Sequence, residues 1–170
     1  ASRIAIKYMV PVIVLSDGYL ANGAEPWRVP SVEEIPEIPV RFRTDPAGFR
    51  PYEREPHTLS RPWVVPGTTG LEHRVGGLEK QDGGGNISYD ALNHETMVRL
   101  RAAKVEAVVQ DVPDVVPAGD PDGDLLIVGW GSTYGAITAA LRAQREKGRR
   151  IGHVHLRHLN PLPGNLGDVL

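Results

Sequence analysis

Between Tyr19 and Asp90 the chain places prolines at 26, 30, 36, 39, 46, 51, 56, 62 and 66. Each removes a backbone donor, fixes its own φ and pushes the preceding residue out of the α region. A long helix cannot fit between them, and a central strand is disfavoured for the same reason. The glycines of PGTTGLEHRVGGLEKQDGGGN add turns from Pro66 onward without adding an element. Ser31 and Glu34 have the spacing of a capping box, but for a turn that Pro36 ends at once. An irregular connector of this length is uncommon inside a compact domain. Two readings stand: an extended arm lying across other protein, or part of a ligand pocket. The arm is favoured, with Trp27, Tyr52 and Trp63 carrying apolar area that needs a surface to pack against.

Regular patterning lies on either side. ASRIAIKYM reads as the last turns of a helix, and MVPVIVLSDG as a buried parallel strand opening at Ser16, Asp17 and Gly18 into a polar loop. Ligands in open α/β sheets gather at such strand ends. Asp90 is placed to cap a helix from Ala91 to about Val109, with Met97, Leu100, Lys104, Ala107 and Val108 at helical spacing. Lys104 on that face either snorkels or makes a specific contact. DVPDVVPAGDPDGD is an acidic, turn-rich link. The strongest signal follows: strand DLLIVGW, a glycine turn, a helix from about Thr133 to Lys147 closed by Gly148, and strand RIGHVHL. This is a βαβ unit with an expected right-handed crossover. Asn165 then stands as the N-cap of another helix in GNLGDVL. Both ends therefore read as lying inside elements, so the chain is expected to be a piece of a longer one.

Composition removes several function classes. The formal charge is -2 at pH 7, so no nucleic-acid footprint is expected, and REKGRR reads as a solvent-facing helix end. With no cysteine, the chain supplies no disulfide, thiolate nucleophile or thiolate ligand to an iron–sulfur cluster. No run is apolar enough to span a bilayer and no signal peptide is recognisable, so a cytoplasmic protein is expected.

The chemistry-bearing residues each carry a sharp and a bland interpretation. Gly129, Gly131 and Gly135 form G-x-G-x-x-x-G, near the dinucleotide fingerprint but not matching it. Trp130 crowds the place where a pyrophosphate must approach, and the second strand ends at His155 and Arg157 without an acid for a ribose hydroxyl. A structural turn is the expectation. His153 and His155 share a strand face with His158 beyond them; exposed or hydrogen-bonded histidines are expected there instead of a metal site. His94 lacks a second histidine four residues on, so the zinc-hydrolase motif is absent. Asp82, Asn86 and Asp90 resemble oxygen ligands, but the spacing is not that of a calcium loop. Glu72 and His73 are either an acid–base pair or solvated loop residues.

PVIVLSDGYLANGAEPWRVP, GTTGLEHRVGGLEKQDGGGNISYD, NHETMVRLRAAKV, LLIVGWGSTYGA and HVHLRHLNPLPGNLGDVL together resemble the alpha subunit of the 2-oxoacid:ferredoxin oxidoreductase family, in its actinobacterial 2-oxoglutarate form. The resemblance covers essentially the whole chain. It implies an α/β fold: residues 1–23 as the tail of a pyrimidine-side thiamine diphosphate domain, 24–90 as the connector arm, and 91–170 as an incomplete domain like the C-terminal domain of transketolase. It implies oxidative decarboxylation of 2-oxoglutarate with coenzyme A to succinyl-CoA and carbon dioxide, reducing ferredoxin. Thiamine diphosphate, magnesium and an iron–sulfur cluster would be held mainly by a beta subunit, in a dimer of alpha–beta heterodimers. No catalytic residue is assigned to this chain, and no metal. Asp17, Tyr19, Glu72, His73 and Arg74 are expected in supporting positions at the active site, and Ser132 and Arg157 at coenzyme A or the partner subunit. The rival expectation is a non-catalytic module that positions a larger partner.

Overall fold

The computed structural model describes residues 1–170, which divide into two compact units. The first comprises Ala1–Val12 and Glu33–Val108; the second comprises Ile13–Val32 and Val109–Leu170.

In the first unit, α1 (Ser2–Tyr8) ends where Met9 turns into the left-handed region. The short α2 (Gly18–Asn22) belongs to the second unit, and the first resumes with proline-interrupted chain bearing isolated bridges, Phe42 to Trp63, Tyr52 to Gly83 and Lys80 to Ile87. This chain gains its order from side chains. The Trp63 indole donates to the Ile6 carbonyl at 3.0 Å, and the Tyr52 hydroxyl donates to the Arg74 carbonyl at 2.8 Å. Tyr52 and Trp63 thus find packing surface within the chain, whereas Trp27 is 78% exposed. The unit closes with α3 (Ala91–Ala107), started as expected by Asp90, whose carboxylate accepts from Asn93 N at 2.7 Å. Tyr8, Leu71, Met97 and Val108 are its buried apolar residues.

The second unit contains the βαβ element. β1 (Ala118–Gly119), β2 (Leu125–Trp130) and β3 (Ile151–Leu156) form a sheet in the order β1-β3-β2. β2 and β3 are parallel, with Ile127 opposite His153 and Gly129 opposite His155, and α4 (Tyr134–Arg145) connects them. Gly148 (φ 79°) turns the chain after α4, and Arg149 N reaches back to Gln144 O at 3.2 Å, a left-handed helix stop. Val154, Leu156 and Leu166 form the core, the last from α5 (Leu166–Val169), with Val115, Leu126 and Val169 packed around them.

Two local expectations need correction. Residues 10–16 form no strand: no segment pairs with them, and Ile13, Val14 and Leu15 are 72–82% exposed. Apolar content alone does not make a strand without a ladder neighbour. Asn165 precedes α5, but its side chain makes no capping bond; it spans instead to Val115.

Candidate functional site

The expected site residues fall into two groups, one in each unit. In the second unit, Asp17 does not sit at a strand end. It caps α2, accepting from Leu20 N at 3.0 Å. The Ser132 hydroxyl also hydrogen-bonds the Asp17 carboxylate, and this bond, followed by that from Leu20 N, holds Asp17 below the usual carboxylate range. Two residues expected in separate roles therefore meet. Tyr19, on α2, is 81% exposed. Arg157 follows β3 at the surface, and after burial its charge is the next cause of the lowered His155 pKa.

The glycine turn between β2 and α4 serves packing. A Cβ on Gly129 would lie 2.5 Å from Ile137 Cδ1 and 3.1 Å from Thr133 Oγ1, so the missing side chain lets α4 settle against β2. Gly131 has φ 63°. Trp130, 57% exposed, remains beside the turn.

The histidines of β3 depart from the sequence expectation. His153 is 2% exposed and its Nε2 has no hydrogen-bond partner; Nδ1 of the half-buried His155 is likewise unpartnered. Their contacts are aromatic, with Tyr134 4.9 Å from His155 and 5.8 Å from His153 between ring centres. Burial, then the neighbouring His155, lowers the His153 pKa below the usual imidazole range. His153 and His155 lie on one face of β3, two residues apart, and both rings meet Tyr134 at the start of α4.

In the first unit, Glu72 and His73 are not an acid–base pair. His73 Nδ1 lies 2.8 Å from the Leu71 carbonyl, so it carries the proton and donates; Nε2 therefore accepts from Arg61 at 3.0 Å. The edge of Phe49 closes on the ring at 5.6 Å. Both ring nitrogens are thus occupied within the chain. Glu72 is exposed, and Arg74 donates to Asn86 Oδ1 at 3.0 Å. The remaining oxygen candidates are also committed: Asp82 to Arg54 at 2.8 Å and Asp90 to the α3 cap. No group of three His, Cys, Asp or Glu side chains is arranged to hold a metal ion.

Sequence reasoning singled out neither Arg54 nor Arg61, and left Lys104 undecided. The Arg61 guanidinium stands 5.3 Å from the Tyr52 ring centre. Arg54 donates to the Tyr52 carbonyl at 3.0 Å and approaches Met97 Sδ at 3.5 Å. Lys104 lies two turns beyond Met97 on the same face of α3, and its Nζ is 3.5 Å from the Met9 carbonyl. Burial, followed by the charges of Arg54 and Arg61, lowers the Lys104 pKa to about 8. Arginines can be recognised as site residues only when their partners are known, and these partners lie far apart in sequence.

That lowered pKa has a measurable sign. Lys104 faces Arg54, Arg61 and the Met9 carbonyl. Below pH 8 it is charged in both states and its cost is fully present; from about 8 to the unfolded value of 10.5 the unfolded chain binds more protons, so stability rises with pH. Lys104→Met is expected to stabilise the chain at pH 7 by about 1–2 kcal/mol after allowance for solvent screening. It should also remove that rise in urea-unfolding midpoints; a variant less stable than the parent at pH 7 would refute the sign.

The family described as pyruvate flavodoxin/ferredoxin oxidoreductase, thiamine diphosphate-binding, matches residues 1–88. The chain belongs to this oxidoreductase family. Within it, the chain is alpha-subunit-like and related to the actinobacterial form. It is 52% identical over 100% of its length to 2-oxoglutarate oxidoreductase subunit KorA of Mycobacterium tuberculosis, and 30% identical over 96% to 2-oxoacid:ferredoxin oxidoreductase 1, subunit alpha, of Aeropyrum pernix. A solved 2-oxoglutarate:ferredoxin oxidoreductase from Magnetococcus marinus, with 2-oxoglutarate, coenzyme A and succinyl-CoA bound, superposes with a TM-score of 0.84 at 30% identity over 98% of this chain. The chain spans 26% of each of those two relatives and 29% of that solved chain. The oxidoreductase chain has an α/β fold, and none of its helices is long and apolar enough to cross a membrane.

Proposed function

We propose that this chain forms part of a 2-oxoglutarate:ferredoxin oxidoreductase, which converts 2-oxoglutarate and coenzyme A to succinyl-CoA and carbon dioxide while reducing ferredoxin. The observation that carries the reading is the likeness over 98% of the chain to an enzyme whose structure holds that substrate, coenzyme A and that product. The 52% identity to a 2-oxoglutarate oxidoreductase subunit favours 2-oxoglutarate over pyruvate.

In this reading residues 1–23 end the pyrimidine-side thiamine domain, 24–90 connect, and 91–170 begin a domain like the transketolase C-terminal domain. Thiamine diphosphate supplies the carbanion stabilisation when bound. The residues of this chain do not fit a cluster or metal: there is no cysteine and no converging ligand set. The family resemblance implies that magnesium and the iron–sulfur cluster are held by a beta subunit, in a cytoplasmic dimer of alpha–beta heterodimers that passes electrons to ferredoxin. Asp17, Tyr19, Glu72, His73 and Arg74 are assigned supporting positions, and Ser132 and Arg157 contacts to coenzyme A or the partner. Asp17 stays ionised through Ser132 and Leu20, and His73 hydrogen-bonds Arg61.

The test is ferredoxin reduction by the enzyme purified with its partner subunit. Reduction is expected to require both 2-oxoglutarate and coenzyme A, with pyruvate a much poorer donor. Assembly with an intact cluster and added thiamine diphosphate, but no oxoacid-dependent reduction, would reject the enzyme in favour of a non-catalytic positioning module.

A further inference from the structure

One stripe of α4 runs along the edge of the sheet. Tyr134, Thr138, Leu141, Arg142 and Arg145 recur on it at helical spacing, and all line a cavity of about 550 Å³ between α4 and β1. A helix stripe that meets a sheet is ordinarily apolar, with large side chains opposite it. Here Leu141 is buried, but its neighbours on the stripe carry a hydroxyl and two guanidinium groups. On the other side β1 offers only Ala118 and Gly119. Gly119 has no room for a side chain, since a Cβ would lie 2.6 Å from the Ile151 carbonyl oxygen. The space follows from these residue types, and its lining is polar at one end.

The walls divide by chemistry. His153, buried and with Nε2 unpartnered, shares the aromatic wall with Tyr134, their ring centres 5.8 Å apart. Arg142 and Arg145, exposed near the end of α4, bring two positive charges to the same opening. No carboxylate of the chain pairs with them. Asp120, next to Gly119, is taken by Arg150 at 2.8 Å, and Glu146 on the cavity wall is one acid against two cations. Thr138, one turn before Arg142, adds a hydroxyl that can donate or accept. Apolar and aromatic walls with a few convergent polar groups are the usual construction of a small-molecule site, and the volume lies in the usual range. A guanidinium fork matches the two oxygens of a carboxylate, and a flat apolar ring matches the Tyr134 and Leu141 wall.

We propose that this cavity binds a small aromatic carboxylate, with Arg142 and Arg145 holding the acid group and Tyr134, Leu141 and His153 enclosing the ring. The site lies wholly within the second unit and stands independently of the reaction proposed above.

Titration of the isotope-labelled full chain with benzoate, followed by NMR, tests this. Acetate, an acid without the ring, and benzyl alcohol, a ring without the acid, are the comparisons. Benzoate is expected to give saturable shifts in the amides of α4 and β1 and in the His153 ring, and each comparison compound to bind about tenfold more weakly or worse, having lost half of the contacts. Arg142→Gln and Arg145→Gln should each weaken benzoate about tenfold, the loss of one charge-assisted hydrogen bond. Ala118→Leu fills the cavity from β1 and should abolish the shifts while unfolding as cooperatively as the parent. Arg99→Gln, which changes an exposed arginine paired with Glu95 in the first unit, should leave binding intact. Absence of saturable shifts with benzoate overturns the proposal. So does acetate or benzyl alcohol binding as tightly as benzoate, or binding that survives both arginine variants.

Discussion

Gly119→Ala is expected to destabilise the second unit by about 3–5 kcal/mol, combining strain at positive φ with overlap in a packed interior. Gly119 lies at φ 91°, and a Cβ there would sit 2.6 Å from the Ile151 carbonyl oxygen and 3.3 Å from Leu141 Cδ2. The backbone oxygen belongs to the β1–β3 ladder, where Gly119 faces Gly152, so it cannot retreat without breaking the pairing. Gly152 is equally tight, with the Asp120 carbonyl 2.7 Å from its own Cβ position. Gly135→Ala is the control. It lies in α4, has nothing within 4 Å, and should gain about 0.5–1 kcal/mol from helix propensity. Urea unfolding of the two variants compares them directly; a Gly119→Ala midpoint equal to that of the parent would mean that β1 does not approach β3 so closely.

The same contact explains why β1 was invisible in the sequence. Two residues in an acidic, turn-rich link carry no alternation, and their pairing depends on two glycines allowing backbone approach across more than thirty residues of chain. The elements that were legible carry local causes: Asp90 at the α3 cap, the apolar strands β2 and β3, and Gly148 after α4. The run through Ile13, Val14 and Leu15 shows the opposite failure, strand-like side chains without a neighbouring ladder. The candidate site divides in the same way. His73 stood out by residue type, but its role follows from Arg61 and Leu71, and Arg61 gains meaning only beside Tyr52. Titratable residues can be enumerated from a sequence; the partners of a half-buried cation are a property of the packed unit.

Asn165 is where the expected capping role is replaced by a tertiary contact, and it yields the second large prediction. Its side-chain oxygen accepts from Val115 N at 2.9 Å and its amide donates to Val115 O at 2.9 Å, fastening the link before β1 to the turn before α5. Asn165→Ala would leave both half-buried backbone groups of Val115 without these partners, at about 2–4 kcal/mol. Loss of a helix cap alone would cost only about 1 kcal/mol. Asn165→Asp separates the two halves of the fork. Its carboxylate still accepts from Val115 N but opposes Val115 O at pH 7, whereas the protonated acid can donate to that carbonyl. The folded-state pKa of the new carboxyl is therefore raised above its unfolded value, and its stabilising contribution is greatest at low pH and lost as pH rises through the folded pKa. Measured against the parent at each pH, Asn165→Asp should be less destabilised at pH 4 than at pH 7, while Asn165→Ala should show the same deficit at both. An Asn165→Asp deficit that is the same at pH 4 and pH 7 would show that the amide's donor half contributes nothing, and a deficit near zero for Asn165→Ala would show that the two Val115 bonds contribute little.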